Sequence, residues 1–187
     1  MCIRDSSSYS DWADYDNFSP DITVEGSDSK LLPAYLSLIR LSDSAIQNLV
    51  SYFEAQEEPT IIVFFGDHQP ADSVVRPVWK LNGKDDADLT DEEEALRYKV
   101  PFFIWANFDI EAENDLEISA NYLAAKTLDA AGLPKPAYDN FLSQLRTEVP
   151  VISANHVTLS DGTFTTASKQ KDLLYDYQTL QYYLLFD

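Results

Sequence analysis

Residues 60–68, Thr-Ile-Ile-Val-Phe-Phe-Gly-Asp-His, decide how the rest of the chain is read. Five apolar residues in a row, Ile61 to Phe65, are all β-branched or aromatic. A run this short and this apolar suits a strand buried on both faces of a parallel sheet. A buried helical segment is the alternative, but Pro59 before the run and Gly66 after it fit a strand better. The run stops at Gly66-Asp67-His68. In open α/β sheets, ligands gather beyond the carboxyl ends of the strands. Asp67 and His68 are therefore expected together at that end, facing a cleft rather than the core. A carboxylate oxygen and an imidazole nitrogen side by side can share one divalent cation. They can equally form a polar turn that caps the next helix. Taken by themselves, the two residues leave both readings open.

Around this stretch the chain reads as an α/β domain. Leu32–Phe53 keeps Leu32, Tyr35, Leu36, Ile39, Ile46, Leu49, Val50 and Phe53 on one helical face. Asp43 falls on that face. A carboxylate there is expected to be buried and to need a partner, either a neighbouring backbone or cation or, in a supporting role, the nearby Asp67-His68 pair. Gln69–Gly83, with Pro70 and Pro77, reads as a loop. Asp85–Glu94 is strongly acidic, and Thr90 with Glu93 matches a capping box. A calcium loop would need regularly spaced oxygens and a glycine turn, which this run lacks. Val100–Ala106 reads as a second buried strand, a neighbour of the first, with Asn107, Phe108 and Asp109 just past its end.

Further along, Ser119 is placed to cap a helix running through Ala131 and closed by Gly132 and Pro134. Tyr138, Phe141, Leu142 and Leu145 mark a short helix, and His156–Thr166 a hairpin turning at Asp161-Gly162. Asp172–Asp187 carries Leu173, Tyr177, Leu180 and Leu184 on one helical face and is expected to dock on the domain. Ser10–Ser29 reads as an irregular surface segment with Trp12, Tyr15 and Phe18 scattered through it. There is no internal repeat.

Composition narrows the function. The chain has 187 residues, 45% hydrophobic and 24% charged, with a formal charge of −19. That balance argues against nucleic acid as a partner, because phosphate binding needs clustered Lys and Arg. It argues equally against a polybasic membrane anchor. The single cysteine, Cys2, permits no intramolecular disulfide and leaves the compartment open. No apolar run approaches the ~20 residues of a membrane helix. The start, MCIRDSSSYS, has no signal-peptide core and differs in character from the rest of the chain, so residues 1–6 read as a foreign leader or truncation junction. No Gly-rich phosphate loop, G-x-S-x-G elbow or C-x-x-C is present. Of the two histidines, His156 sits in the expected hairpin without an acidic neighbour at ligand spacing, which suits a surface or turn role. Asp67-His68 remains the one compact site candidate.

The order of segments resembles the C-terminal part of the lipoteichoic acid synthase-like phosphoglycerol transferases, in the sulfatase and alkaline phosphatase superfamily. The carriers are YLSLIRLSDSAIQNLVSYF, PTIIVFFGDHQP, RYKVPFFIWANFDIE, ISANYLAAKTLDAAGLP and LQYYLLFD, over residues 7–187. The resemblance implies a metal-dependent transferase or hydrolase of phosphate or sulfate esters. Its one divalent ion, manganese with zinc or magnesium as alternatives, would be held by a Glu, a Thr nucleophile, and the Asp and His that fall on Asp67 and His68. The Glu and Thr have no counterpart here, and Ser6 stands where the family has a substrate-binding His three residues before a tyrosine such as Tyr9. The resemblance thus implies the C-terminal half of a catalytic domain with an incomplete, partly exposed sheet. Membrane helices would lie upstream, the substrate would be a phosphoglycerol-bearing lipid or polymer, and the site would sit on the extracellular face of a bacterial membrane. The competing reading is a non-catalytic acidic α/β module that binds a partner through its aromatic N-terminal segment or its C-terminal tail.

Overall fold

The structure is a computed structural model and describes residues 18–186. Trp12, Tyr15 and the suspected leader lie outside the described residues. The chain divides into two compact units, Met1–Phe108 and Asp109–Asp187.

In the first unit, helix α1 spans Leu31–Glu54. Its start is held by the Leu32 amide, which donates to Ser29 Oγ at 3.2 Å. Ser37 is buried among Leu32 and Ala34 yet fully engaged. Its hydroxyl donates to Pro33 O at 2.8 Å and accepts the Asp21 and Ile22 amides, both at 3.2 Å. That ties residues 21–22 to the helix and leaves no buried polar atom without a partner there. Beyond this point the apolar face is covered only in part: Ile39 and Leu49 are exposed, while Ile46, Val50 and Phe53 are half-buried. Asp43 is exposed too, which corrects the expected buried carboxylate and removes the reason to give it a supporting role at the site. Helical spacing marks an apolar face, but it does not say how far along the helix that face is covered.

Strands β1, Ile61–Phe65, and β2, Phe102–Ala106, are neighbours as expected. They pair antiparallel, from Ile61 opposite Ala106 to Phe65 opposite Phe102, which corrects the expected parallel sheet. A continuous apolar run is commoner in parallel sheets, but it reports burial of the two faces and does not fix strand direction. Among the described residues this sheet has two strands, and most of their side chains are half-buried. Phe64 stacks on Phe103 with centroids 5.2 Å apart. Asn107 fastens the ribbon to the end of α1. Its Nδ2 lies 2.9–3.1 Å from the carbonyls of Phe53, Gln56 and Glu58, while its Oδ1 accepts the Thr60 amide at 2.7 Å.

Between the strands, the expected loop is largely helix α2, Asp72–Leu81. Pro77 lies inside it and forgoes one ladder hydrogen bond. Val74 is buried, and the helix packs against α1, which offsets that loss. Helix α3, Asp91–Ala95, carries the expected capping box of Thr90 and Glu93.

The second unit has its own core of Tyr122, Ala125, Leu142, Leu145, Val149, Val157, Leu174 and Tyr177. It is built from α4 (Leu123–Ala130), α5 (Ala137–Glu148), α6 (Lys171–Phe186) and a small antiparallel sheet. The sheet comprises β3 (Val151–Ile152), β4 (Val157–Thr158) and β5 (Phe164–Thr165), with the β4–β5 turn at Asp161-Gly162 as expected. Ser119 does not cap α4 with its side chain. A 3-10 turn, Ala120–Tyr122, intervenes, and Ser119 Oγ instead accepts the Ile152 amide at 3.0 Å and donates to Asn121 Oδ1 at 2.6 Å. Tyr122 donates its hydroxyl to Val149 O at 2.7 Å, and burial pushes that hydroxyl's pKa well up. Helix α6 docks only by its first half: Leu174 and Tyr177 are buried, but Leu184 and Leu185 are 64% and 75% exposed.

Candidate metal centre

Strand β1 delivers the chain to Gly66, whose amide donates to Pro101 O at 3.0 Å. That bond carries the antiparallel pairing one residue past the strand. A Cβ on Gly66 would lie 3.0 Å from Val100 Cβ, so the approach of the two backbones depends on glycine at this position.

Asp67 and His68 follow, each with a side chain 73% exposed. Asp67 Oδ1 accepts the His68 amide at 2.9 Å. His68 Nδ1 lies 2.9 Å from Gln69 O. A carbonyl can only accept, so this contact sets Nδ1 as the protonated nitrogen and leaves the lone pair on Nε2. Nε2 in turn lies 3.4 Å from Asp67 Oδ2. Two donors bound at about 2.1 Å to one ion lie about 3.4 Å apart on a tetrahedron and about 3.0 Å apart on an octahedron. The donor types, their spacing and the tautomer all fit a shared divalent cation. Neither residue caps the next helix: the α2 cap is Ala71, without a side-chain bond. Among the described residues no third His, Cys, Asp or Glu joins the pair.

Residues 97–101 hold this loop, a role that sequence reading missed. Gln69 Nε2 donates to Lys99 O. Arg97 donates from Nη1 to Pro70 O at 3.2 Å and from Nη2 to Asp72 Oδ1 at 2.6 Å. Its guanidinium also lies over the Trp79 ring, 5.7 Å from the centroid. Asp72 receives a second cation, Arg76, at 3.7 Å, and Arg76 pairs with Asp86 at 2.7 Å. These contacts span up to about thirty positions in sequence, and no local motif announces them.

His156 lies in the second unit. It takes the turn role expected of it, with Nδ1 2.8 Å from Ser153 Oγ and its ring stacked on Phe164 at 4.7 Å. Burial lowers its pKa, and Glu117 opposes part of that shift.

Comparison with known proteins sets this geometry in context. A family model described as Sulfatase matches residues 6–133, more than two thirds of the chain. A protein of Rhizobium meliloti (strain 1021), whose provisional description is cyclic beta-1,2-glucan modification, is 25% identical over 176 residues. That match covers 88% of this chain and 27% of the relative. Among solved structures, Streptococcus pyogenes phosphoglycerol transferase GacH in complex with sn-glycerol-1-phosphate superposes with a TM-score of 0.52 at 19% identity. The superposition covers 72% of this chain and 32% of that one, and at this identity it speaks for the fold alone. The chain therefore spans about a quarter of the curated relative and about a third of the solved one. Among the described residues no helix is long and apolar enough to cross a membrane.

Proposed function

The chain belongs to the sulfatase family, and from that premise we propose that it supplies part of the active centre of a metal-dependent enzyme that modifies phosphate esters. The observation that carries this reading is the Asp67-His68 pair. It stands on the loop after β1, within the matched region, with Nε2 and Oδ2 3.4 Å apart. In this reading Asp67 gives the cation a negative oxygen and His68 a neutral nitrogen, its tautomer fixed through Gln69 O. A divalent ion bound there would draw charge from a phosphoryl oxygen and lower the pKa of an attacking hydroxyl. The attacking group itself is not assigned within this chain.

The finer reading is phosphoglycerol transfer, with manganese as the metal and a phosphoglycerol-bearing lipid or polymer of the bacterial cell envelope as substrate, on the outer face of the membrane. Its support is the fold shared with a phosphoglycerol transferase that binds sn-glycerol-1-phosphate. The relative described by cyclic beta-1,2-glucan modification lends support to a carbohydrate-bearing substrate.

The test is made in the longest natural protein that carries this sequence. Changes outside the first coordination sphere already cost about 10–100-fold, so Asp67→Ala and His68→Ala should each cost at least about a hundredfold in turnover of a phosphoglycerol donor. Circular dichroism should stay unchanged, because both side chains are exposed. Full turnover by either variant would overturn the assignment.

A further inference from the structure

The Asp67 and His68 side chains are mostly in solvent, and among the described residues their contacts are local ones, to each other and to Gln69. Their positions are therefore set by the backbone of residues 66–72. A pair of ligands is useful to a cation only if held at the right separation beforehand, since ordering a loose loop on binding costs affinity.

That stretch is clamped on both sides of the pair by one segment, through the Gly66 and Pro70 backbones and the Gln69 and Asp72 side chains. On the near side the Gly66 amide meets Pro101 O; on the far side Gln69 meets Lys99 O, and Arg97 meets Pro70 O and Asp72. The loop runs 66, 69, 70, 72 against 101, 99, 97, 97, in the antiparallel sense of the strands below it. Asp67 and His68 are the two residues that bridge the clamps. Arg97 makes two of the four contacts. Its guanidinium is planar, permanently charged and rich in donors, so it can hold a carbonyl, a carboxylate and an aromatic face together. Its side chain is 24% exposed, against 56% for Asp72, so the pair is partly shielded from solvent screening.

We infer that Arg97 is a positioning residue for the Asp67-His68 pair, fixing the loop so that the carboxylate and the imidazole converge on one divalent cation. This rests on the reading of that pair as cation ligands. Arg97 itself touches neither ligand; it acts through Pro70 and Asp72.

The test uses the full 187-residue chain, isotope-labelled, with manganese chloride and zinc chloride as probes. In the unaltered chain, manganese should broaden the amide signals of Asp67 and His68 first, and His68→Ala should abolish that selectivity. Arg97→Gln should weaken zinc binding about tenfold by calorimetry, the scale of losses on removing an outer-sphere support. It should also speed solvent exchange at the Gly66 and His68 amides. Arg97→Lys keeps the charge but not the fork and should fall between. Absence of selective broadening in the unaltered chain, or its survival in His68→Ala, would overturn the metal reading and Arg97's role with it. Selective broadening that His68→Ala removes, with unchanged zinc affinity and exchange in Arg97→Gln, would overturn Arg97's role and leave the metal reading standing. If Arg97→Gln collapses the amide dispersion, Arg97→Lys decides by the same criteria.

Discussion

Gly66 shows how a single hydrogen in place of a methyl can govern a site. Its φ is not in the left-handed region, so the demand for glycine is not conformational. It is steric: a Cβ would stand 3.0 Å from Val100 Cβ and 3.3 Å from Val100 Cγ1. Neither neighbour is the free end of a long side chain, so the backbones themselves must part. Gly66→Ala should then stretch the bond to Pro101 O and loosen the near-side clamp, costing about 1–3 kcal/mol, the range for forcing extra carbon into a packed contact. Denaturant titration measures the loss, and a variant within about 0.5 kcal/mol of the parent chain would show that the contact relaxes freely. At this scale the sequence was legible where chemistry is local. Asp67 and His68 stand out by type and place. Thr90 and Glu93 announce their capping box three residues apart. Asn107 and Arg97 do not stand out, because what they hold lies 25–54 positions away in the chain.

Elements were legible by their period and misread where that period is silent. Strands β1 and β2 and the helices α1, α5 and α6 lie where the apolar pattern puts them, and α3 lies where its capping box does. Helix α2 was hidden by Pro70 and Pro77, which read as loop punctuation, although Val74 packs into the unit. Strand direction was misread because continuous apolar runs, commoner in parallel sheets, here belong to an antiparallel pair. Helix α6 illustrates the remaining gap, between having an apolar face and burying it. Its Leu174 belongs to the core, whereas Leu185 is 75% exposed. Two leucines eleven positions apart on one helix should thus respond differently to substitution. Leu174→Ala should cost about 2–5 kcal/mol, the range for emptying a buried leucine site. Leu185→Gln should stay within about 0.5 kcal/mol, as surface changes do. Thermal unfolding of the two variants compares them directly, and equal losses would mean that the helix end is covered in solution.

Among the described residues, burial is distributed unevenly between the two units. The second draws eight buried residues into one core, with Val149 and Val157 wholly shielded and satellites such as Ile118, Phe141 and Ile152 around them. All of these come from residues after Phe108. The first unit buries Leu32, Ala34, Ser37 and Val74, while Ile39, Leu49, Tyr52, Phe65, Leu96 and Tyr98 stay exposed. Apolar burial is the main favourable term in folding, and local opening is easiest where it is thin. The β1–β2 ribbon, with Phe65 at its end 55% exposed, should therefore open more readily than the second core. In native-state hydrogen exchange of the whole chain, the Val149 and Leu174 amides, bonded to Leu145 O and Gln170 O, should be the slow class. Ladder amides of Ile61–Phe65 should exchange at least about tenfold faster, a difference of about 1.4 kcal/mol in opening free energy. Residues 109–187 produced alone should keep the slow amides and a cooperative unfolding transition, since every residue of that core cluster and of its packed neighbours comes from after Phe108. The site loop would then sit on the less stable half, where its clamps matter most. Slow exchange in β1 equal to that at Val149, or an unfolded 109–187, would show that stability is shared in a way the two sets of buried residues do not reveal.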